Sequence, residues 1–408
     1  MNCKKTWTSK RLLEVIDFNP KETLRKGQRA KKIAMEQLRP FSKTPMGYCE
    51  EFYNCGAKFK NGDTLLARIT PCLENGKTAQ VNELEEGEVG FGSTEYIVLR
   101  AKEGKSDKDF IYYLSISPNF RSIAIKSMVG SSGRQRVQQN VLENAEFLLP
   151  DLKTQKKISA VLGSLDNKIE LNEKINQNLE AQAQAIFKSW FVDFEPFGGK
   201  MPADWGQGCL SDVLSVIESG SRPKGGSESS GFPSIGAENI DGIGHYDYSK
   251  EKYINRDFFQ NLRHGKVNSG DILLYKDGAY VGKVSMALNG FPHEICAVNE
   301  HVFILRTNER LPSQSYLYLF LAQHSIRNKI ATLGSAKAAQ PGVNQSDIKG
   351  IALTIPNKRT IQAFENIASS LFPKIVQNSI QSRRLSQLRD TLLPKLMSGE
   401  IDVSDVAV

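Results

Sequence analysis

The segment Gly278–Val284 comes close to a nucleotide-binding loop, but it lacks two features of that motif. It reads GAYVGKV, which is one residue short of the phosphate-loop spacing, and no Ser or Thr follows Lys283. Asp151 and the Asp166–Lys168 stretch likewise imitate the carboxylates of a nuclease. Asp166 and Lys168 fall within a predicted long helix rather than on a strand beside Asp151, so we predict no catalytic residue in this chain.

Signals for a cofactor, a metal or a membrane are also missing from the sequence. Asn19–Pro20 is followed by Lys21 and Glu22, whereas the adenine-stacking motif of amino-methyltransferases needs a second Pro and an aromatic residue. The five histidines are scattered, and the six cysteines form no CxxC pair. No apolar run reaches 18 residues, and the N-terminus lacks the apolar core of a signal peptide. We expect a cytoplasmic chain with reduced thiols, no bound metal and no cofactor of its own.

Polar side chains able to bind bases and phosphates gather in three loops of the first half of the chain. Arg and Lys can donate to guanine O6 and N7, Asn and Gln can pair with adenine, and Ser or Thr can bind a phosphate. The formal charge of +8 favours a polyanionic partner. The candidates are Arg68, Thr70, Asn75, Lys77, then Ser93, Thr94, Tyr96, then Ser131, Ser132, Arg134 and Arg136.

Three loops of the second half carry a matching set of polar side chains. These candidates are Tyr275, Lys276, Tyr280, Lys283, then Asn299 and His301, then Ser335, Lys337, Gln340 and Asn344. A weaker group, Ser221, Arg222 and Lys224, lies in a Gly/Ser-rich stretch. For any one of these residues the alternative is an ordinary solvated loop position, so we predict DNA binding for the loops as groups.

The two sets of loops belong to a segment that occurs twice in the chain. GDTLLARI (Gly62–Ile69) matches GDILLYKD (Gly270–Asp277), and TEYIVLR (Thr94–Arg100) matches NEHVFILR (Asn299–Arg306). An apolar helical run, a polar loop and a strand ending in Pro150 or Pro356 follow in the same order. The period is about 200 residues, which indicates a duplicated globular domain. Asp63 and Asp271 in the GD motifs are predicted to fix a turn.

A long amphipathic helix is predicted after each globular domain. In Asp151–Phe194, apolar residues recur every three or four positions, which predicts a helix of about 35–40 residues. The run from Lys358 to Leu393 has the same pattern, with Pro373 as a candidate kink. We predict that the helices pair antiparallel as a coiled coil; the alternative is that each packs on its own globular domain. Asn172 and Asn176 interrupt the first stripe, either to set the register or to face solvent.

The predicted fold is therefore α+β, with two mixed α/β recognition domains and two long antiparallel coiled-coil helices in a pseudo-two-fold internal repeat. The predicted boundaries are 1–150 and 198–356 for the domains, and 151–197 and 357–408 for the helices and the C-terminal tail. Two reading domains on a stiff spacer suit duplex DNA, whose grooves repeat every ~34–36 Å.

Two stretches resemble the specificity subunit of type I restriction–modification systems: Asn172–Pro196 (NEKINQNLEAQAQAIFKSWFVDFEP) and Leu388–Ile401 (LRDTLLPKLMSGEI). The resemblance extends over essentially the whole chain. It implies two target-recognition domains that each read one half of a bipartite double-stranded DNA target. It also implies spacer helices that dock two methyltransferase (modification) subunits, through which restriction (motor–nuclease) subunits join the complex.

The resemblance further implies that the chain is a non-catalytic subunit of a complex that methylates adenine N6 and cleaves DNA. S-adenosylmethionine, ATP and Mg²⁺ are then expected on the partner subunits. We predict that partners dock on an outer face near the end of the first helix, at Lys188, Trp190, Phe191 and Asp193. The alternatives are a self-sufficient DNA-modifying enzyme and a coiled-coil adaptor scaffold without direct base readout.

Overall fold

The chain folds into two compact units. The computed structural model describes residues 7–278, 280–336 and 342–407. Unit 1 comprises Met1–Lys168 and Leu385–Val408, and unit 2 comprises Ile169–Arg384. Both unit boundaries fall inside a long helix, so each unit contains a part of both long helices.

Unit 1 is a mixed α/β structure with two four-stranded sheets, ordered β2-β9-β6-β7 and β4-β3-β8-β5, and a β1-β10 pair. Its strands are β1 (Thr8–Arg11), β2 (Ile16–Phe18), β3 (Arg29–Ile33), β4 (Cys49–Phe52), β5 (Lys58–Phe59), β6 (Thr64–Ala67), β7 (Thr78–Gln80), β8 (Gly90–Gly92), β9 (Tyr96–Ala101) and β10 (Glu146–Leu149). Its helices are α1 (Leu12–Val15), α2 (Lys108–Ile116), α3 (Pro118–Lys126), α4 (Gln139–Asn144) and the first part of α5 (Leu152–Phe191).

Unit 2 contains a four-stranded sheet, β12-β18-β15-β16, a three-stranded sheet, β14-β13-β17, and a β11-β19 pair. Its strands are β11 (Gly206–Cys209), β12 (Leu214–Ser219), β13 (Phe232–Ile235), β14 (Tyr253–Ile254), β15 (Ile272–Tyr275), β16 (Val284–Met286), β17 (Ala297–Val298), β18 (Val302–Thr307) and β19 (Ala352–Ile355). Its helices are α6 (Leu210–Val213), α7 (Arg256–Asn261), α8 (Gln314–Ala322), α9 (His324–Ser335), α10 (Gln345–Lys349) and most of α11 (Lys358–Met397).

The four-stranded sheets β2-β9-β6-β7 and β12-β18-β15-β16 confirm the internal repeat. In both, the strand that follows the GD motif pairs antiparallel with a strand whose arginine, Arg100 or Arg306, binds the buried aspartate of the motif. The Asp63 carboxylate accepts hydrogen bonds from the Lys60 N–H and from the Arg100 guanidinium at 2.8 and 2.7 Å. Asp271 accepts from the Asn268 N–H and from Arg306 at 2.8 and 2.6 Å. The two aspartates therefore fix the turn, as predicted, and also hold the neighbouring strand.

The helices packed on these sheets also begin in the same way in both units. Asp107 caps α2, because its carboxylate accepts from the Phe110 N–H at 2.9 Å. Ser313 caps α8 by accepting from the Tyr316 N–H at 3.0 Å. A polar oxygen at this position satisfies an N–H group that the first turn of a helix leaves unpaired.

The long helices α5 and α11 are each 40 residues, and α11 continues through Pro373. Within unit 2 they pair antiparallel, since Asn172 Nδ2 donates to Gln381 Oε1 at 2.9 Å while Asn176 Nδ2 donates to the Ile375 carbonyl at 3.0 Å. Both asparagines are buried, so the solvent-facing alternative is wrong.

Each helix segment also packs on the globular part of its own unit. Phe187 and Phe191 of α5 lie in the unit 2 core, and Ile158 and Leu162 of α5 lie in the unit 1 core. The antiparallel pairing is therefore combined with the alternative arrangement, in which each helix supports a domain. In the described part of the chain, no helix is long and apolar enough to cross a membrane.

Candidate nucleic-acid interface

The three candidate loops of unit 1 meet where strand β6 ends. The Arg68 N–H donates to the carbonyl oxygen of Glu95 at 2.9 Å, and the Val137 N–H donates to the carbonyl oxygen of Arg68 at 2.9 Å. Arg68 is therefore joined on one side to the segment before β9 and on the other side to the polar loop. We call this arrangement of three backbone segments the framework.

Unit 2 repeats the framework where β15 ends. The Lys276 N–H donates to the carbonyl oxygen of His301 at 3.1 Å, and the Val343 N–H donates to the carbonyl oxygen of Lys276 at 2.8 Å. These bonds make Lys276 equivalent to Arg68, His301 to Glu95, and Val343 to Val137. The side chains at equivalent positions differ in size and charge, although the backbone connections are the same.

An ion pair dominates the framework of unit 1. Arg136 donates through Nε to Glu95 Oε2 at 2.9 Å and through Nη2 to Glu95 Oε1 at 2.7 Å. The hydrogen bond from Arg136 lowers the pKa of the Glu95 carboxyl, so the pair stays ionised at neutral pH. Arg68 differs, because its buried Nε has no hydrogen-bond partner among the described residues.

Several other candidates of unit 1 already bind the protein's own backbone. Thr70 Oγ1 donates to the Gln135 carbonyl at 3.1 Å, and Lys77 Nζ donates to the Met35 carbonyl at 2.9 Å. Ser93 Oγ accepts from the Glu95 N–H at 3.1 Å. These three side chains hold the loops in place. The exposed candidates are Asn75, Thr94, Ser131, Ser132 and Arg134.

Tyr96 is the one unit 1 candidate whose side chain the structure buries. Only 2% of it is exposed, because it is the first residue of β9 and points into the core with Phe59 and Val98. The expectation that Tyr96 belongs to an exposed loop is therefore wrong. Burial raises the pKa of its hydroxyl far above the usual value.

Acidic side chains lie beside several of the candidates of unit 2. His301 Nδ1 lies 2.8 Å from Asp277 Oδ1, and its Nε2 lies 3.3 Å from Glu300 Oε1. Lys283 Nζ pairs with Asp241 at 2.9 Å, and Lys276 Nζ lies over the Phe303 ring at 5.0 Å. Both lysines are thus held close to the surface of the unit.

The remaining unit 2 candidates differ in how far their side chains are exposed. Tyr280 is 61% exposed and Tyr275 is partly buried. Asn344 caps α10 by accepting from the Asp347 N–H at 3.0 Å, and Ser335 is exposed at the end of α9. Lys337 and Gln340 lie outside the described residues.

Open clefts lie beside the framework in unit 1, and a more enclosed cavity lies beside it in unit 2. Two clefts of unit 1 share Thr94; one is lined by Lys21, Lys58 and Arg68, the other by Lys32 and Phe52. The cavity of unit 2 has a volume of about 270 Å³ and is lined by charged side chains that include Arg222, Lys252, Asp277, Glu300 and His301.

Most of the charged residues that line these spaces were not among the candidates from the sequence, including Lys21, Lys32, Lys58, Glu238, Lys252, Asp277 and Glu300. Glu300 lies between two candidates, Asn299 and His301, but the sequence contains no motif that marks it. Lys58 and Lys252 lie on or near short strands that carry no motif. Only their position in the fold connects them to the loops.

The predicted docking residues near the end of α5 are not all on one surface. Lys188 and Asp193 form an ion pair, in which the lysine side chain is largely exposed. Trp190 is partly buried against Phe364, and the centroids of the two rings are 6.2 Å apart. Phe191 is 5% exposed and packs on Tyr316 at 4.8 Å. The expectation for Phe191 is wrong, because it continues the inward i, i+4 row of Ala183 and Phe187.

Within the described ranges, no group of three or more His, Cys, Asp or Glu side chains is placed to hold a metal ion. What the two frameworks present are hydrogen-bond donors and acceptors on rigid backbone. Such groups suit the recognition of base edges and phosphates.

The chain is similar to known proteins over most of its length. Residues 4–181 and 202–389 match the family model described as the type I restriction modification DNA specificity domain. The chain is 27% identical over 427 residues to the type I restriction enzyme HindI specificity subunit of Haemophilus influenzae, which covers 84% of this chain and 87% of that relative. It is 27% identical over 311 residues to the MjaIX specificity subunit of Methanocaldococcus jannaschii, covering 73% of this chain and 70% of that relative.

A solved structure has the same fold. The S subunit of a type I restriction-modification system from M. genitalium aligns with a TM-score of 0.56 at 16% identity, and the alignment covers 96% of both chains.

Proposed function

Because the chain belongs to the type I restriction modification DNA specificity family, we propose that it is a specificity subunit whose two units each read one half of a bipartite double-stranded DNA target. The observation that carries this proposal is the duplicated framework. Equivalent backbone hydrogen bonds at Arg68 and Lys276 hold different side chains in the two units. A conserved geometry with different donors and acceptors is what two half-sites of different sequence require.

The chemistry of the complex is assigned to partner subunits. We assign S-adenosylmethionine and the transfer of its methyl group to adenine N6 to two modification subunits, and ATP, Mg²⁺ and DNA cleavage to restriction subunits that join through them. The long helices are the proposed docking elements, with Lys188 and Trp190 of α5 and Asp193 just beyond its end as the first contacts to test. The complex would act on DNA in the cytoplasm.

An adaptor scaffold without base readout is not favoured. The family that matches both halves of the chain is a DNA specificity domain. Arg68 also lines an open cleft beside the framework together with Lys21 and Lys58, and such basic side chains suit contacts to bases and phosphates.

The proposal is tested by mapping methylated adenines in cells that contain the modification partner, with and without this chain. We expect methylation at one bipartite sequence only when both proteins are present, because the chain selects the site and the partner transfers the methyl group. A strain with the chain but without the partner is the control and should show no such methylation. An unchanged methylation map after deletion of the chain would contradict the proposal.

A further inference from the structure

The cavity of unit 2 is large enough to admit part of a larger molecule. Its volume is about 270 Å³, whereas a water molecule occupies about 30 Å³ in the liquid. Its lining combines the apolar side chains of Ala237 and Ile254 with charged side chains that include Glu300 and His301. The cavity lies directly beside the framework residue His301, so a molecule bound at the framework can reach into it.

Glu300 has one carboxylate oxygen in use and one free. Oε1 lies 3.3 Å from His301 Nε2 and 3.8 Å from Arg222 Nη1. Oε2 is buried and has no hydrogen-bond donor among the described residues. A buried acceptor without a donor is unfavourable, so a ligand that supplies an N–H group is favoured at this oxygen.

The neighbouring charged groups are already paired. Asp277 Oδ1 is bound to His301 at 2.8 Å, and Lys252 Nζ donates to Glu238 Oε1 at 2.6 Å. Arg222 is 66% exposed at the rim, where it can contact a phosphate. Glu300 Oε2 is therefore a buried acceptor without a donor, on a side chain that lines the cavity.

In the major groove, cytosine N4 and adenine N6 are the amino groups that can donate to a carboxylate, whereas guanine O6 and thymine O4 are acceptors that a carboxylate repels. We propose that Glu300 selects, at one position of the half-site read by unit 2, a base with an exocyclic amino group. This inference rests on the proposed function and adds the chemical class of one recognised base.

Unit 1 cannot make the same selection. The residue that precedes framework position Glu95 is Thr94, where unit 2 has Glu300 before His301. Thr94 is exposed and neutral, and the cleft that it lines also contains the charged side chains of Lys21, Glu22, Lys58 and Arg68. The two units thus place different side chains, Thr94 and Glu300, at equivalent positions of the framework.

The test uses the full chain in complex with its modification partner and duplexes that contain the mapped target. At each adenine or cytosine of the target, an analogue without the amino group is introduced: purine in place of adenine, or 2-pyrimidinone in place of cytosine. At one position we expect wild-type affinity to fall about 5- to 150-fold, and the analogue that has this effect identifies the base.

Glu300→Ala should lose less than about twofold at that same position, because the acceptor is already absent. Glu309→Ala, an exposed carboxylate beyond the far end of β18, is the matched control and should respond like wild type. If Glu300→Ala does not fold, Glu300→Gln replaces it, since glutamine keeps the shape but adds a donor, and it should bind with weaker discrimination at this position.

An equal response of wild type and the Glu300 variant to every analogue would overturn the inference. So would a wild-type complex that tolerates every analogue while still preferring its target. If the wild-type complex prefers no sequence at all, the proposed function itself fails, and this inference fails with it.

Discussion

Arginine side chains near the framework of unit 1 differ in how fully their guanidinium groups are hydrogen-bonded. Arg136 is held by two oxygens of Glu95, whereas Arg68 Nε has no partner among the described residues and lines the cleft that contains Lys58. An arginine that lines an open cleft is suited to the O6 and N7 atoms of guanine.

Arg68→Ala is therefore expected to weaken binding about 5- to 150-fold and to relax the requirement for one base in the half-site read by unit 1. Fluorescence anisotropy with duplexes substituted at each position measures both effects. Lys105→Ala removes a positive charge beyond the other end of β9 and serves as the control. A loss that is the same for every sequence would show that Arg68 binds phosphate instead.

The residue types of the candidate site were predictable from the sequence. Which of these side chains are left unbound by the protein's own backbone was not. Arg68 and Thr70 are separated by one residue and look equivalent in the sequence, yet Thr70 is used to bind the Gln135 backbone. Phe191 was placed on the wrong helix face because a shift of one residue rotates a helix position by about 100°. Glu300 required the cavity to be known, since nothing in its sequence context marks a carboxylate as a base-reading group.

Polar residues at the pairing of α5 and α11 in unit 2 form a hydrogen-bonded layer. Asn378 Nδ2 donates to Asn176 Oδ1 at 2.9 Å, and Asn176 Nδ2 donates to Ser379 Oγ at 3.1 Å. These bonds are formed only in one register of the two helices, which is the role attributed to buried asparagines in coiled coils.

Asn176→Leu should lower the stability of unit 2 by about 1–3 kcal/mol, because it leaves the buried Asn378 amide without its acceptor. Urea unfolding of the full chain, followed by circular dichroism, gives the shift in midpoint. Asn176→Leu combined with Asn378→Leu should recover much of the loss, since both polar partners are then removed. Gln184→Leu, on the exposed side of α5, is the control. A double variant that loses the sum of the two single effects would refute a specific pair.

The lengths of the long helices and the order of motifs in the repeat could be predicted because they depend on local periodicity and on motifs that recur. How each long helix is divided between the two units could not be predicted from the sequence. Apolar residues on α5 face both α11 and the globular part of the unit, and a single stripe in the sequence does not separate these two contacts.

At the scale of the whole molecule, each unit has its own core. The large core of unit 2 includes Trp205 and Tyr316 of the globular part together with Phe187, Phe191 and Phe364 of the helices. Residues 198–356 therefore form a replaceable segment only if the new segment preserves the aromatic contacts with the helices.

Replacing residues 198–356 with the corresponding segment of another family member should change one half of the DNA target and leave the other half as it was. The framework of unit 1 keeps its own hydrogen bonds in such a chimera. Mapping of methylated adenines measures the outcome. A donor segment without an aromatic residue at Trp205 or Tyr316 should be less stable by about 3–5 kcal/mol. A change in both halves would contradict independent reading by the two units.

The composition of unit 1 has a consequence for synthesis of the chain. Its core joins Trp7, Ile158 and Leu162 to Leu393 and Val403, which lie beyond the whole of unit 2 in the sequence. At about 5–20 residues per second, a ribosome needs on the order of 10–40 s to translate the intervening segment. During that time the unit 1 core lacks Leu393, Leu396 and Val403. A nascent chain interrupted before Leu393 therefore exposes the apolar surface that these residues cover in the complete fold, and such surface is prone to aggregation.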